Sequence, residues 1–151
     1  MELKNLYIES GIKTPQIDFN NFSGELILSG KSIPENAAQL YEKVLIWVHE
    51  YLKSPKLTTN LRINLDYFNT ASAIWISKIV AALSSINGFD STLIIHLYFN
   101  IEDYDSMEAD DLKDELHPII SMIGNPTISV GIKIYATDNF GEILKESMVL
   151  I

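Results

Sequence analysis

The chain has 151 residues, 47% of them apolar, no cysteine and a formal net charge of −9. That is enough material for one ordinary domain with a sizeable core, built without disulfides or cysteine-held metal. Twenty acids against eleven Lys and Arg leave no basic face, which argues against nucleic acid and against an anionic membrane surface as partners.

The first residues, Met1–Ser10, alternate in polarity and do not resemble a secretion leader. No stretch approaches the roughly 18 uninterrupted apolar residues of a membrane span. The longest apolar-rich run, Ala71–Ile86, is broken by Ser72, Ser77, Lys78 and two further serines. A cytoplasmic location is expected, and the absence of cysteine suits a reducing compartment. Asn21-Phe22-Ser23 fits a glycosylation sequon, which chance explains when no secretion signal accompanies it.

Leu6–Glu9, Gln16–Phe19 and Glu25–Ser29 are short and β-like. Turn-forming Asn20–Gly24 joins the last two into a hairpin. Ser32-Ile33-Pro34-Glu35 matches a capping box with proline in the first turn. The helix it predicts carries Ala37, Leu40, Tyr41, Val44, Leu45, Val48, Tyr51 and Leu52 on one face. Ser54-Pro55 ends it. Thr58–Phe68 follows as a strand, with Leu61, Ile63 and Leu65 alternating against Arg62, Asn64 and Asp66.

Ala71–Ile86 reads as a second helix, apolar on nearly all sides and closed by Asn87-Gly88. Thr92–Phe99 is apolar enough for the middle of a sheet. Ile101–Ile123 reads as a helix interrupted at His117-Pro118, and Asn125-Pro126 as a turn. Thr127–Tyr135 is the last clear strand, and the tail over 135–151 shows no decisive pattern. Strands alternating with helices predict a parallel or mixed sheet with right-handed crossovers. Helices on one face and helices on both are equally allowed. No linker divides the chain, so residues 1–151 are expected to form one domain. An exposed edge at the C-terminal strand would permit association with another chain.

Catalytic patterns are missing. His49, His96 and His117 show no nucleophile–base spacing, and Gly-x-Ser-x-Gly, His-Glu-x-x-His and phosphate-loop glycine motifs are absent. The loudest charge feature runs from Glu102 to Glu115. Glu102, Asp103, Asp105, Glu108, Asp110, Asp111, Asp114 and Glu115 face one base, Lys113. Asp103-x-Asp105 opens like a calcium loop, but Met107 and Glu108 stand where a third ligand and the turn glycine belong. No metal is therefore expected. A solvated helix face is the ordinary reading, and an acidic docking surface for a basic partner is the functional one.

Thr70 is the quieter signal. It lies where a strand gives way to a buried helix, and a hydroxyl there ordinarily caps free backbone N–H groups, worth about 1 kcal/mol. Asn69 could cap instead, leaving Thr70 or Ser72 free. A helix N-terminus also tolerates a phosphate, because its partial positive charge and spare donors suit an anion. Phosphorylation would add about −1.5 to −2 charges without melting the helix.

Leu65-Asp66-Tyr67-Phe68-Asn69-Thr70-Ala71-Ser72 resembles the central motif of the SiaC-like family of bacterial biofilm-regulation phosphoproteins. Leu6-Tyr7-Ile8-Glu9, Thr14-Pro15, Gly30-Lys31-Ser32-Ile33-Pro34-Glu35-Asn36 and the passage Tyr98 to Glu108 add to the likeness, which covers roughly residues 5–116. Ile33 departs from the aromatic common before Pro34, and Ala71 stands where a hydroxyl is common. The segment after His117 finds no counterpart.

The resemblance implies a STAS-like fold similar to anti-sigma-factor antagonists: a mixed β-sheet packed with about three helices, an N-terminal β-hairpin and an extra C-terminal strand. It implies a regulatory adaptor rather than an enzyme, without a cofactor. Its partners would be a protein kinase and a protein phosphatase of a partner-switching pair, and its output a diguanylate cyclase, cyclic di-GMP and biofilm formation. The family's phosphorylated threonine falls on Thr70. Asn69, Ser72, Asp103, Asp105 and Glu108 are the expected partner-binding residues. The alternative is a small-molecule-binding α/β module without phosphorylation, marked by an apolar cleft beside the buried helix.

Overall fold

The computed structural model describes residues 3–88, 90–106, 117, 119–124 and 126–150. Chain order runs β1 (Leu6–Ile8), β2 (Gln16–Phe19), β3 (Glu25–Ser32), α1 (Ala37–Tyr51), β4 (Thr58–Phe68), α2 (Thr70–Ser84), β5 (Thr92–Asn100), α3 (Ile101–Ser106), β6 (Ser129–Thr137) and β7 (Ile143–Leu150). The strands form one seven-stranded sheet in sequence order. The inner pairs β3–β4, β4–β5 and β5–β6 are parallel, and the outer pairs β1–β2, β2–β3 and β6–β7 are antiparallel.

Period-two alternation decides what each strand buries. Register puts Leu26 beside Leu61 and Leu28 beside Ile63, then Leu61 beside Ile95 and Ile95 beside Ile132. These side chains share one face with the fully buried Val44 and Val48 of α1 and Ile79 and Leu83 of α2. Right-handed crossovers that step the same way along a sheet leave their helices on one side. Here α1 and α2 pack against each other over that face, which settles the question the sequence left open.

Among the described residues no helix covers the other face, and long polar side chains cover it instead. Arg62 reaches Glu25 at 2.8 Å and the Tyr98 hydroxyl at 2.8 Å. His96 is buried under the stacked rings of Tyr135 and Tyr98. Asn60 Oδ1 can only accept, so His96 Nε2 donates to it at 2.8 Å and Nδ1 accepts from the Tyr135 hydroxyl at 2.7 Å. Burial, and then the positive charge of Arg62, push His96 down from 6.5 to about 4. His96 is therefore a neutral sheet residue.

Several boundaries differ from expectation. Ser32 caps no helix, because β3 continues through it to pair with Phe68 after a bulge at Gly30/Lys31. Gly30 holds φ +100 there, which a side chain resists. α1 starts five residues after Ser32, where Asn36 Oδ1 accepts from the Gln39 amide. Pro34 and Glu35 precede the helix, and Glu35 meets Lys13 at 3.4 Å. α2 runs from Thr70 to Ser84 and ends before Asn87-Gly88.

The last strand is not Thr127–Tyr135. That segment is β6, shifted two residues on, and the tail supplies β7 at the sheet edge. Of the helix expected over Ile101–Ile123, α3 and a helical stretch at 119–123 are present. Residues 107–116, Pro118 and Asn125 lie outside the described residues. No helix among the described residues is long and apolar enough to cross a membrane.

His96 gives the fold a pH signature. Above about pH 6.5 it is neutral folded and unfolded, and contributes no slope. As pH falls toward 4 the unfolded chain binds the proton first, so stability drops across that window and levels off below it. The expected loss is up to about 3 kcal/mol. Urea unfolding at pH 7 and pH 5 measures it, and a His96→Gln chain should show a clearly shallower dependence.

Candidate functional site

Two strand ends and one helix start converge where β4 gives way to α2. Asn69 leaves β4 in an extended conformation, φ −90 and ψ 173, and its Oδ1 accepts from the Ser72 amide at 2.9 Å. The Asn69 amide donates to the Ser32 carbonyl at 3.0 Å, and the Asn69 carbonyl accepts from the Ala73 amide. One asparagine thus ends the strand, caps the helix and ties both to β3.

Beneath it runs a buried chain of hydroxyls. Ser72 Oγ donates to the Ser32 carbonyl at 2.9 Å. Its proton is then spent, so Ser32 Oγ must donate to Ser72 Oγ across 2.8 Å. By the same count the Tyr41 hydroxyl donates to Ser32 Oγ across 2.5 Å. Burial raises the Tyr41 phenol above its usual 10.0, which keeps that proton in place. Ser32 and Ser72 are both fully buried. Helix α1, through Tyr41, therefore helps fix where α2 begins.

Thr70 stands on the opposite side of this first turn. It is the first residue of α2, it is exposed, and it takes no part in the cap. Asn69 supplies the capping oxygen, so the second of the two capping options is the one realised. The amides of Thr70 and Ala71 find no acceptor among the described residues. An apolar collar surrounds this end: Tyr67, Phe68 and Ile74 are all at least half exposed, and Lys78 lies over the Trp75 ring at 4.3 Å.

Thr70, Asn69 and Ser72 thus come together, with Thr70 facing solvent and Ser72 holding the turn from inside. The acidic residues lie elsewhere. Asp103 and Asp105 are on α3. Asp103 and Glu102 line a cleft of about 970 Å³ whose other wall includes Ala73 and Ser77 of α2. Asp105 pairs with Lys145 of β7 at 2.9 Å. Glu108 lies outside the described residues. Among the described residues no group of three His, Asp or Glu could hold a metal ion.

Sequence reasoning missed the hydroxyl chain because Ser32 carried a stronger local signal as a cap. It also missed the share that Tyr41 takes, since its spacing marked it only as a core position.

Three comparisons bear on this arrangement. The model of the SiaC family regulatory phosphoproteins matches residues 8–123, past the His117 where the likeness had been expected to stop. An uncharacterised protein of Pseudomonas aeruginosa strain UCBPP-PA14 is 33% identical over 70 residues, which is 46% of this chain and 56% of that relative. The match thus spans about half the relative's length. In fold, the chain is similar to apo-SiaC from Pseudomonas aeruginosa, with a TM-score of 0.62 at 22% identity over 84% of this chain and 98% of the other. It is similar to the same degree to a chain in the crystal structure of the diguanylate cyclase SiaD in complex with its activator SiaC, also from Pseudomonas aeruginosa. There the TM-score is 0.64 at 21% identity, over 83% and 97% of the two chains.

The two sides of the turn predict opposite responses to the same change. Thr70→Ala removes an exposed hydroxyl and should shift stability by no more than about 0.5 kcal/mol. Ser72→Ala leaves the buried Ser32 hydroxyl without its acceptor and the Ser32 carbonyl with the Asn69 amide alone, and should cost about 1–3 kcal/mol. Paired urea titrations of the two variants measure the difference.

Proposed function

Because the chain belongs to the SiaC family of regulatory phosphoproteins, we propose that Thr70 is its phosphoacceptor and that the chain is a non-catalytic adaptor governed by that phosphate. The supporting observation is that Thr70 is exposed on the first turn of a helix whose cap Asn69 supplies. Modifying Thr70 removes no structural hydrogen bond. The added anion lies at the positive end of α2, beside amides with no other acceptor.

The transfer is ordinary phosphoryl chemistry. A kinase base takes the Thr70 hydroxyl proton as Oγ1 bonds to the γ-phosphorus of ATP, and ADP leaves with the bridging oxygen. A phosphatase reverses the state by directing water to the same phosphorus, returning the hydroxyl and inorganic phosphate. These two enzymes are the proposed partner-switching pair, acting in the cytoplasm on one domain over residues 1–151.

The effect on binding is electrostatic and apolar together. Tyr67, Phe68 and Ile74 offer apolar surface around Thr70, and aromatic collars of this kind anchor protein partners. A dianion in their midst must be desolvated or matched by any docking protein. Asn69 contributes to this surface by shape, and Asp103 and Asp105 of α3 supply separate negative charge that favours a basic partner; Glu108 is proposed with them from the sequence alone. The proposed output partner is a diguanylate cyclase, by analogy with SiaC, which is the activator of SiaD in that complex. The chain would then raise cyclic di-GMP, and with it biofilm formation, in its unphosphorylated state.

The cleft beside α2 supports a second reading, a small-molecule-binding module. It opens at the C-terminal ends of the parallel strands, where such sheets bind ligands, with Ile63, Leu97 and Phe99 below Asp66, Glu102 and Asp138. A ligand there would carry positive charge on an apolar body.

Incubation with the cognate kinase and ATP, followed by peptide mass spectrometry, should place a single phosphate on Thr70. Phosphate persisting on a Thr70→Ala chain would refute the assignment. Phosphorylated chain should bind the cyclase at least tenfold more weakly than unmodified chain, about 1.4 kcal/mol. Equal binding by both forms would leave the small-molecule reading in its place.

A further inference from the structure

We propose that the sheet forks between β4 and β5 to make a binding site for a small primary amine carried on an apolar body. The proposal deepens the ligand reading of the cleft beside α2 and rests on that reading alone. It needs no phosphate on Thr70.

The fork is written in the strand pairing. β4 and β5 pair from Thr58–Thr92 to Ile63–Leu97 and no further. Each strand nevertheless continues. β4 runs on along β3 until Phe68 meets Ser32, and β5 runs on along β6 until Asn100 meets Thr137. The two central strands therefore part, each carried away by its outer neighbour. The register shift at Gly30/Lys31 lies beside the parting, and such irregularities add local twist and bend a strand.

Parting leaves backbone groups of an interior strand with no strand to meet. In a parallel sheet, alternate residues turn both backbone groups towards the same neighbour. The Asn60 amide bonds to the Gly24 carbonyl, on the β3 side, so the odd-numbered residues of β4 turn towards β5. Half-buried Leu65 is the first of these beyond the last pair. Its amide and carbonyl find no hydrogen-bond partner among the described residues. Orphaned backbone groups inside a sheet are uncommon, and a molecule seated in the fork would meet them.

The cleft of about 970 Å³ occupies this fork, a volume within the ordinary range for small-molecule sites, about 300–1,000 Å³. Buried Ile63 and Leu97, the last pair, close its base. Asp66 of β4, Glu102 and Asp103 of α3, and Asp138 of the β6–β7 turn stand around it. Among the described residues no lysine, arginine or histidine lines the cleft, and neither Asp66 nor Glu102 has an ion-pair partner. Open sheets bind ligands in the crevice outside the carboxyl ends of their strands, where strand order reverses. Strand order here never reverses, so the fork opens the crevice instead.

Charge and shape choose the occupant. Carboxylates with no cation among them repel an anion and attract an ammonium. The Leu65 carbonyl offers the ammonium a further acceptor. Ile63 and Leu97 favour an apolar body. A strand from another protein is the competing occupant of parted strands. The fork closes at Ile63–Leu97, however, so an added strand has no way through and would end on an apolar floor. A small amine enters by its apolar end and leaves its charge among the carboxylates.

Phenethylamine is the probe. Phenylacetate offers a similar body with the opposite charge, and ethylamine the charge without the ring. In nuclear magnetic resonance titrations of the full chain at low salt, millimolar phenethylamine should shift the amides of Leu65, Asp66 and Phe99 saturably. Phenylacetate and ethylamine should each bind more weakly by about tenfold or more. A chain carrying Asp66→Asn and Glu102→Gln, both at exposed positions, should keep its circular dichroism and bind phenethylamine about fivefold or more weakly. No saturable shift, or shifts scattered over the whole surface, would overturn the proposal. So would equal binding of phenylacetate, or undiminished binding by the folded double variant. Thr70 enters none of these measurements, so their failure leaves the adaptor reading standing, and failure of that reading leaves them unaffected.

Discussion

The buried hydroxyl chain from Tyr41 through Ser32 to Ser72 is the constraint on which the candidate site rests. It spans the neighbouring β3 and α1 and the more distant α2, 40 residues from Ser32 to Ser72, and ends on a backbone carbonyl that also receives the Asn69 amide. Buried polar groups are costly unless every donor and acceptor is matched. Here each proton has one destination, so the chain has a single satisfied arrangement. The first turn of α2 is held from beneath, and the residue above it is left with no structural duty. A switch needs that division: the modified group should be free to change while its support stays still.

The same division runs through the whole sheet. One face is dry and packs two helices. The other carries Arg62, Glu25, His96, Tyr98 and Tyr135 in a network of ion pair, hydrogen bonds and stacked rings. Burying a histidine on a face that no described helix covers requires that both ring nitrogens find partners and that flat aromatic groups exclude water. Asn60 and the two tyrosines supply both. The network occupies the inner strands, where neighbours on each side hold side chains in place.

Much of this was legible in the sequence. Strict alternation fixed β4 to the residue, and the apolar spacing from Ala37 to Tyr51 gave α1 its buried face. Asn69-Thr70 was readable as a strand-to-helix junction, with two competing caps. Three features were not readable, each because a distant contact outweighed a local preference. Ser32 satisfies a capping pattern, yet pairing with Phe68 across the sheet keeps it extended. The tail of the chain alternates poorly, since Ile143, Leu144, Val149 and Leu150 crowd an edge that exposes both faces. Tyr41 shows its burial through spacing, but its hydrogen bond depends on where β3 ends, which no helical period encodes.

Strand order has a consequence for how the molecule is made. Because the sheet runs in sequence order, each strand docks on one that the ribosome has already released, and no later segment must thread between earlier ones. Assembly can proceed in the direction of synthesis, with each growing edge covered by the next strand. β7 is the last of the described strands to arrive, so its outer edge, like that of β1, has no neighbouring strand among the described residues.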